Sequence, residues 1–413
     1  MSAESKGCYA PAQTLMPVAE ALQKLLAEAA VNVAVETVGI ADALGRVLAE
    51  DQRSVVDVPP RDNSAMDGYA LKRSDLAGSQ RLIVSQRIPA GTAPVPLLSG
   101  TAARIFTGAE IPQGADAVVM QENTTTGESD GQPWVEVHEL PAAGNNIRPQ
   151  GQDIQTGQVV MPAGTRLQAA HIGVLASVGI ASVKVYRRLK VAVLATGDEL
   201  VTPGNPLQPG QIYNSNLYTL HGLLQALGCD IVDLGIVKDT LEGTKAALKQ
   251  ASEQADCILS SGGVSVGEED HVKAAVESQG ELRLWKMAIK PGKPMAFGYV
   301  NGKPILGLPG NPAAVLVTFS ILARPFLLRM MGVGSVTPMS FPVAAGFNRP
   351  RPIGRQEYLR VQLSDGRAVL GSSQSSGVLS SSVTAAGYLV VPPNTVVAEG
   401  DFLMFIPFSD VMN

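Results

Sequence analysis

Two hydrophobic rhythms run along the chain, and the places where they change divide it. Leu15, Val18, Leu22, Leu25 and Leu26 recur at three- and four-residue steps, which predicts an amphipathic helix near the start. Residues 31–50 carry a similar but mixed pattern and extend that helical expectation. Pro59-Pro60 then ends regular structure. From 60 to 166, short apolar runs at 81–87, 102–106, 117–121, 134–139 and 159–161 sit between Gly/Pro turns. Such spacing reads as strands of a small barrel or sandwich, with polar residues 124–132 as a hairpin loop. A helix over 168–178 and a strand over 183–186 follow.

Near Lys190 the rhythm becomes regular. Short apolar runs at 191–194, 231–237, 257–259 and 282–289 alternate with helical stretches at 214–227, 240–254 and 271–278. Runs at 295–300 and 304–308 meet at Asn301-Gly302 as a hairpin, and Asn311-Pro312 starts a long helix. This alternation predicts a doubly wound parallel sheet with helices on both faces. Beyond about 335 the runs at 355–362, 368–370 and 388–391 suggest a small all-β domain. The Ser-rich stretch 372–382 between them reads as a polar loop facing a site.

Composition fits this multidomain α/β plus β reading. A length of 413 residues suggests two to four domains. The 42 glycines and 28 prolines, about 17% together against an average of about 12%, imply many turns. The balance of 32 basic and 37 acidic residues, net −5, with no Lys/Arg block, argues against a nucleic-acid surface. Three cysteines without a CxxC argue against a disulfide framework or a thiolate zinc site, and four scattered histidines form no local metal pattern. No apolar leader precedes Thr14, and the window 167–183 is too polar to span a bilayer. The expectation is a cytoplasmic protein without membrane or nucleic-acid partners.

In an open α/β sheet, ligands bind outside the carboxyl ends of the strands, so the strand-ending turns should share one edge. Those turns are Thr196-Gly-Asp-Glu199, Lys238-Asp239, Ser261 to Asp270, Lys290-Pro-Gly-Lys293 and Leu308 to Pro312. Carboxylates beside lysines and Gly-rich turns suit a Mg²⁺-bridged phosphate ester rather than zinc. The Ser261, Gly262 and Gly263 amides are candidates to cradle a terminal phosphate. Neither a Walker loop nor GxGxxG follows any strand. If residues 282–290 form one strand, Lys286 and Lys290 share a face. Read singly, each turn is also compatible with plain structural punctuation.

The stretches Asn63–Ala70, Phe106–Met120, Gly144–Asp153, Thr196–Leu200, Ser261–Asp270, Lys290–Gly298, Leu308–Ala313 and Gly354–Arg360 carry a resemblance. The chain resembles the molybdopterin molybdenumtransferases, that is, the bacterial MoeA proteins and the E domain of gephyrin. The resemblance implies an L-shaped homodimer of four-domain subunits. Residues 1–57 and 149–187 would form an elongated domain interrupted by a β-rich domain at 58–148. Residues 188–335 would be the molybdopterin-binding α/β domain, and 336–413 a small β-barrel. It implies insertion of molybdate into the dithiolene of adenylylated molybdopterin, with Mg²⁺-dependent release of AMP. The functional positions carried over are Asp67, Thr107, Arg148, Glu199, Asp239, Asp270, Lys286, Lys290, Pro309 and Pro312, with Arg355 and Ser376 at the oxyanion site. Glu199, Asp239 and Asp270 would hold Mg²⁺ or orient water. Lys286, Lys290 and Lys293 would neutralise phosphate or molybdate oxygens. Asp67 and Thr107 would reach the pocket from the partner subunit. The dithiolene itself supplies sulfur to molybdenum, so no protein cysteine is needed there. Implied partners are a molybdopterin adenylyltransferase and downstream acceptors of the cofactor. The alternatives are an adenylyltransferase of the same α/β fold, usually a single domain, and a non-catalytic scaffold related to gephyrin.

Overall fold

The computed structural model describes residues 15–262, 271–292 and 294–412. The predicted first helix forms over Val18–Glu28, and its apolar stripe Val18, Ala21 and Leu25 is buried. The expected helical continuation does not form. Val31, Val33, Val35 and Thr37 instead place a β-branched residue at every second position, a pattern that favours extended backbone. Val35–Gly39 is a strand that pairs antiparallel with Ser182–Tyr186, which in turn pairs with Val47–Leu48. Leu48, Met161, Leu167, Leu175, Val183 and Val185 fill one core, so chain from both sides of the intervening segment builds a single unit.

Within that intervening segment a six-stranded mixed sheet runs in the order Ala117–Met120, Gly68–Leu71, Thr101–Ile105, Arg81–Ile88, Gln132–Val137, Thr124–Ser129. Period two distributes its side chains. Tyr69, Leu71, Ala102 and Val119 enter one core, while Ala70, Ala103 and Val118 enter another on the opposite face. The polar stretch expected as a loop is mostly strand. Its turn is Asp130-Gly131, both at positive φ, the two-residue hairpin that an Asp-Gly pair favours.

The α/β unit comprises strands β1 (Lys190–Thr196), β2 (Asp230–Val237), β3 (Cys257–Ser261), β4 (Gly280–Lys286), β5 (Pro294–Val300) and β6 (Lys303–Leu308). Its helices are α1 (Asn216–Leu227), α2 (Leu241–Gln254), α3 (His271–Gln279) and α4 (Pro312–Thr318). The sheet order is β2-β1-β3-β6-β5-β4. The neighbours β2, β1, β3 and β6 are parallel, but β6–β5 and β5–β4 are antiparallel, so the sheet is mixed. The Asn301-Gly302 hairpin dictates this, because a two-residue turn joins only antiparallel strands. Winding is double, as expected. Val191, Val193 and Ala195 pack with the leucines of α1 on one face, while Ala192 and Leu194 pack with α2 and α3 on the other.

From α4 the chain continues through a π turn, Phe319–Ala323, into a helix over Arg324–Met330. Pro325 offers no N–H to the carbonyl of Ile321, and a widened turn accommodates the missing bond. This 19-residue stretch, Pro312–Met330, is apolar and long enough to cross a bilayer, yet it is 94% buried inside the protein. It is therefore the central helix of the largest core, where the first helix also packs.

The C-terminal strands Gln356–Ser364, Arg367–Leu370, Phe341–Ala345, Phe402–Pro407 and Gly387–Val391 form a five-stranded barrel, closed by pairing of the first with the last. One short strand, Ile289–Lys290, leaves the α/β unit and joins it in parallel, with Lys290 opposite Glu357.

Glu28 ties the first helix to the α/β sheet. It accepts from the Tyr299 hydroxyl at 2.8 Å and the Arg283 guanidinium at 2.5 Å, and these bonds hold its carboxyl below the usual glutamate range. A depressed folded-state pKa stabilises at pH values above the unfolded pKa, and that stabilisation is lost as pH falls through the folded value. Glu28→Gln should therefore cost about 1 kcal/mol at pH 7. The gap to wild type should close below pH 4, as measured by urea unfolding across pH.

Candidate active site at the α/β edge

Between β1 and β3 the winding reverses, because α1 leads from β1 to β2 on one face and α2 returns from β2 to β3 on the other. This is the switch point where such sheets bind ligands. A cavity of about 990 Å³ opens there, at the upper end of small-molecule sites. Thr196, Gly197 and Glu199 enter it from the β1 turn, Asp239 from β2, and Gly262 from β3. Pro309, Gly310 and Asn311 follow β6, and Lys290 comes from the short strand shared with the barrel. The barrel adds Arg349, Arg355 and the loop residues Gln374 to Ser376.

Close backbone approach makes this edge compact. Gly262 has φ +89°, and a Cβ there would lie 2.8 Å from the Thr196 carbonyl oxygen. Asn216, the first residue of α1, donates to Ser261 Oγ at 2.9 Å and to the Gly310 carbonyl at 2.7 Å, joining three turns with one side chain. Asn311 occupies the N-cap of α4, but its side chain makes no capping bond. Its carbonyl accepts from Ala314 and Val315, while Ala313 N–H donates to the Ser376 carbonyl at 2.9 Å. That amide is thus spent on the barrel loop and is not left for an anion.

Arg360 sets the shape of that loop. Its side chain is 2% exposed, and Nη2 donates to the carbonyls of Ser373 and Ser375 at 3.0 and 2.9 Å. Gln374 bonds both backbone groups of Arg360, at 2.9 and 2.8 Å. Ser375 and Ser376 are thereby presented to the cavity. The motif Gly354–Arg360 contained this residue, but nothing in the sequence distinguished a loop-holding arginine from a ligand.

Of the residues singled out from sequence, Glu199, Asp239, Gly262, Lys290, Pro309, Arg355 and Ser376 line this cavity. Ser261 lies buried behind it, and Pro312 is the first residue of α4. Lys286 does not share a strand with Lys290. Met287 and Ala288 break the run, leaving Lys286 at the end of β4 and Lys290 in the barrel sheet. Gly263, Asp270 and Lys293 lie outside the described residues. Asp67, Thr107 and Arg148 are elsewhere, in the segment between residues 58 and 148. Asp67 accepts from the amide and hydroxyl of Thr107, both at 2.7 Å, and these bonds hold its carboxyl below the usual aspartate range. Arg148 is exposed in a two-residue pairing with Asn63. Among the described residues no three His, Cys, Asp or Glu side chains form a metal-ligating group. The described cysteines, Cys229 and Cys257, are free and buried, and burial pushes the Cys229 thiol up to about 12.

Known families align with this architecture throughout. Residues 16–179 match the MoeA N-terminal region, domains I and II. Residues 192–329 match a probable molybdopterin binding domain, and 342–408 the MoeA C-terminal region, domain IV. A molybdopterin molybdenumtransferase of Haemophilus influenzae is 43% identical over 348 residues, covering 84% of this chain and 85% of that protein. The chain belongs to the molybdopterin molybdenumtransferase family. Another such family member, from Nostoc, is 40% identical over 79% of this chain and 76% of its own length. The crystal structure of the Pyrococcus horikoshii molybdopterin biosynthesis MoeA protein superposes with a TM-score of 0.81 at 29% identity, covering 95% of this chain and all of that one.

Two substitutions test the construction of this edge. Gly262→Ala should lower stability by about 1–3 kcal/mol through backbone strain and the Thr196 contact, read by thermal unfolding. Arg360→Met should raise hydrogen exchange at residues 373–378 while leaving exchange in β1 and β3 unchanged. Unaltered exchange in the loop would show that Arg360 does not hold it.

Proposed function

We propose that the protein inserts molybdate into the dithiolene of adenylylated molybdopterin and releases AMP with the help of Mg²⁺, in molybdenum cofactor biosynthesis in the cytoplasm. The observation that carries this reading is a switch-point cavity combining carboxylates with cations, in a chain whose relatives bear the molybdenumtransferase name. Lys290 and Arg355 suit the oxygens of molybdate and phosphate, and Glu199 and Asp239 suit a hard cation. Mg²⁺ is commonly held by one or two carboxylates together with substrate phosphates, so this donor set fits it. Asp270, Lys293 and the Gly263 amide complete the proposed set from outside the described residues. Lys286 would act at long range on the same anions.

The chemistry required of the chain is modest. Water attacks the adenylyl phosphorus, the phosphoanhydride P–O bond breaks with the molybdopterin phosphate as leaving group, and AMP departs with the water's oxygen. As the two dithiolene sulfurs bond molybdenum, one molybdate oxygen leaves with their two protons as water. Positioning and charge neutralisation suffice, without a protein nucleophile. Mg²⁺ would neutralise the phosphate oxygens when bound. Lys290, Arg355 and Ser376 would hold the oxyanion, and Pro309 and Pro312 would fix the turn beneath the substrate.

The site would be completed by a second copy. Asp67, Thr107 and Arg148 lie outside this cavity, in chemistry suited to a polar substrate, and a homodimer of the domain division set out above would bring them in. Delivery of substrate by an adenylyltransferase and release to cofactor-accepting enzymes follow from the same reading. The presence of the N-terminal units and the barrel, matched to the MoeA regions, favours it over an adenylyltransferase, and the acidic and basic residues that line the cavity favour it over a scaffold.

Purified protein given adenylylated molybdopterin should release AMP only with molybdate and Mg²⁺. Formation of adenylylated pterin from ATP without molybdate would overturn this reading. Glu199→Gln and Asp239→Asn should each lower kcat by about 100-fold. Asp67→Asn and Asp239→Asn, each strongly impaired alone, should recover part of the activity when mixed, as composite sites require. Full activity of Asp67→Asn alone would remove that residue from the site.

A further inference from the structure

Lys290 and Arg349 converge on one oxygen of a single buried carboxylate. Glu357 is 2% exposed and stands opposite Lys290 in the parallel pairing between Ile289–Lys290 and the barrel. Its Oε1 lies 3.0 Å from Lys290 Nζ and 2.6 Å from Arg349 Nη2. Both cations keep part of their surface open, 37% for Lys290 and 23% for Arg349, and both line the cavity. The backbone of Arg349 is fixed as well, since its N–H and carbonyl both bond Val397.

A cross-link between the short strand and the barrel needs only one cation on this carboxylate. A second beside it adds like-charge repulsion and leaves the cluster with a surplus positive charge at the cavity wall. An arriving anion removes that cost. Arg349 brings further N–H donors in a planar fork, and Lys290 keeps donors not engaged by Glu357. A carboxylate too buried to be displaced by the ligand holds the pair at fixed separation.

We propose that Arg349 binds the substrate oxyanion directly beside Lys290, and that Glu357 is the positioning residue that aims both cations. This deepens the proposed function and rests on its placement of molybdate at Lys290. Glu357 never touches the anion. It acts by setting where two positive nitrogens stand before the anion enters, so binding requires little reorganisation.

The sign of one substitution separates positioning from charge balance. If Glu357 only offsets positive charge, Glu357→Gln makes the pocket more cationic and tightens oxyanion binding. If it positions, the same change loosens binding. The test uses the full-length protein, with sodium molybdate in equilibrium dialysis and KM for molybdate in the AMP-release assay. Arg349→Ala should weaken molybdate about tenfold or more, Arg349→Lys should recover part of the loss, and Glu357→Gln should weaken it despite the lost negative charge. KM for adenylylated molybdopterin should move less than twofold in all three, which a general loss of structure would not allow.

Arg349→Ala within twofold of wild type overturns the direct contact, and tighter binding by Glu357→Gln overturns positioning. Lys290→Ala separates the two levels. If it binds molybdate as wild type does, the placement of the anion fails and this inference falls with it. If it loses molybdate while Arg349→Ala does not, only the inference falls. Should Glu357→Gln fail to fold, Arg349→Ala and its lysine counterpart still decide the contact.

Discussion

A two-residue strand pairing holds this site together. Ile289 and Lys290 leave the α/β unit after β4 and pair in parallel with Gln356 and Glu357 of the barrel, where the Gln356 N–H donates to the Ala288 carbonyl at 2.8 Å. That register sets a buried barrel carboxylate, Glu357, beside two cations of a cavity wall to which the sheet turns and the barrel both contribute. The Ala313 amide on the Ser376 carbonyl then seals the same junction a few residues away. Without these two contacts, the turns at Glu199, Asp239 and Gly262 would face open solvent on one side.

Much of the scaffold was legible because its signals are local. The leucine spacing of α1, the β-α alternation after Lys190 and the Asn301-Gly302 turn each depend on a few neighbouring residues. Where the reading erred, short-range signals competed. Residues 31–50 combine helical spacing with β-branched alternation, and only the long-range pairing of Val35–Gly39 with Ser182–Tyr186 decides between them. The 124–132 stretch is polar enough for a loop, but Asp130-Gly131 makes it a hairpin with solvent-facing strands. The hairpin at 301–302 likewise implied an antiparallel edge, which a count of alternating strands and helices hides.

The site was legible to the extent that topology turns sequence order into spatial grouping. The turns after β1, β2, β3 and β6 meet because parallel strands end on one edge, so Glu199, Asp239, Gly262 and Pro309 were within reach of that rule. Arg349, Glu357 and Arg360 were not. Each sits on a barrel strand or its flank, where an arginine or glutamate looks like an ordinary surface residue until tertiary packing buries it. Lys286 and Lys290 show the converse. Their spacing suggested one face of one strand, and a break of two residues sends them to different sheets. Asp67, Thr107 and Arg148 were singled out through family resemblance rather than local chemistry, and a single subunit leaves them away from the cavity.

The apolar helix Pro312–Met330 has a consequence for synthesis of the chain. It emerges before the barrel strands, yet it shares a core with barrel residues Tyr358, Tyr388 and Ile406. Chains lengthen from the N-terminus and domains fold as units. While the barrel strands are still being translated, a segment with the composition of a membrane span lacks part of its cover. Premature termination within the barrel would therefore expose part of an apolar core helix, so truncated products should be cleared as aggregation-prone chains rather than persist as partial enzymes.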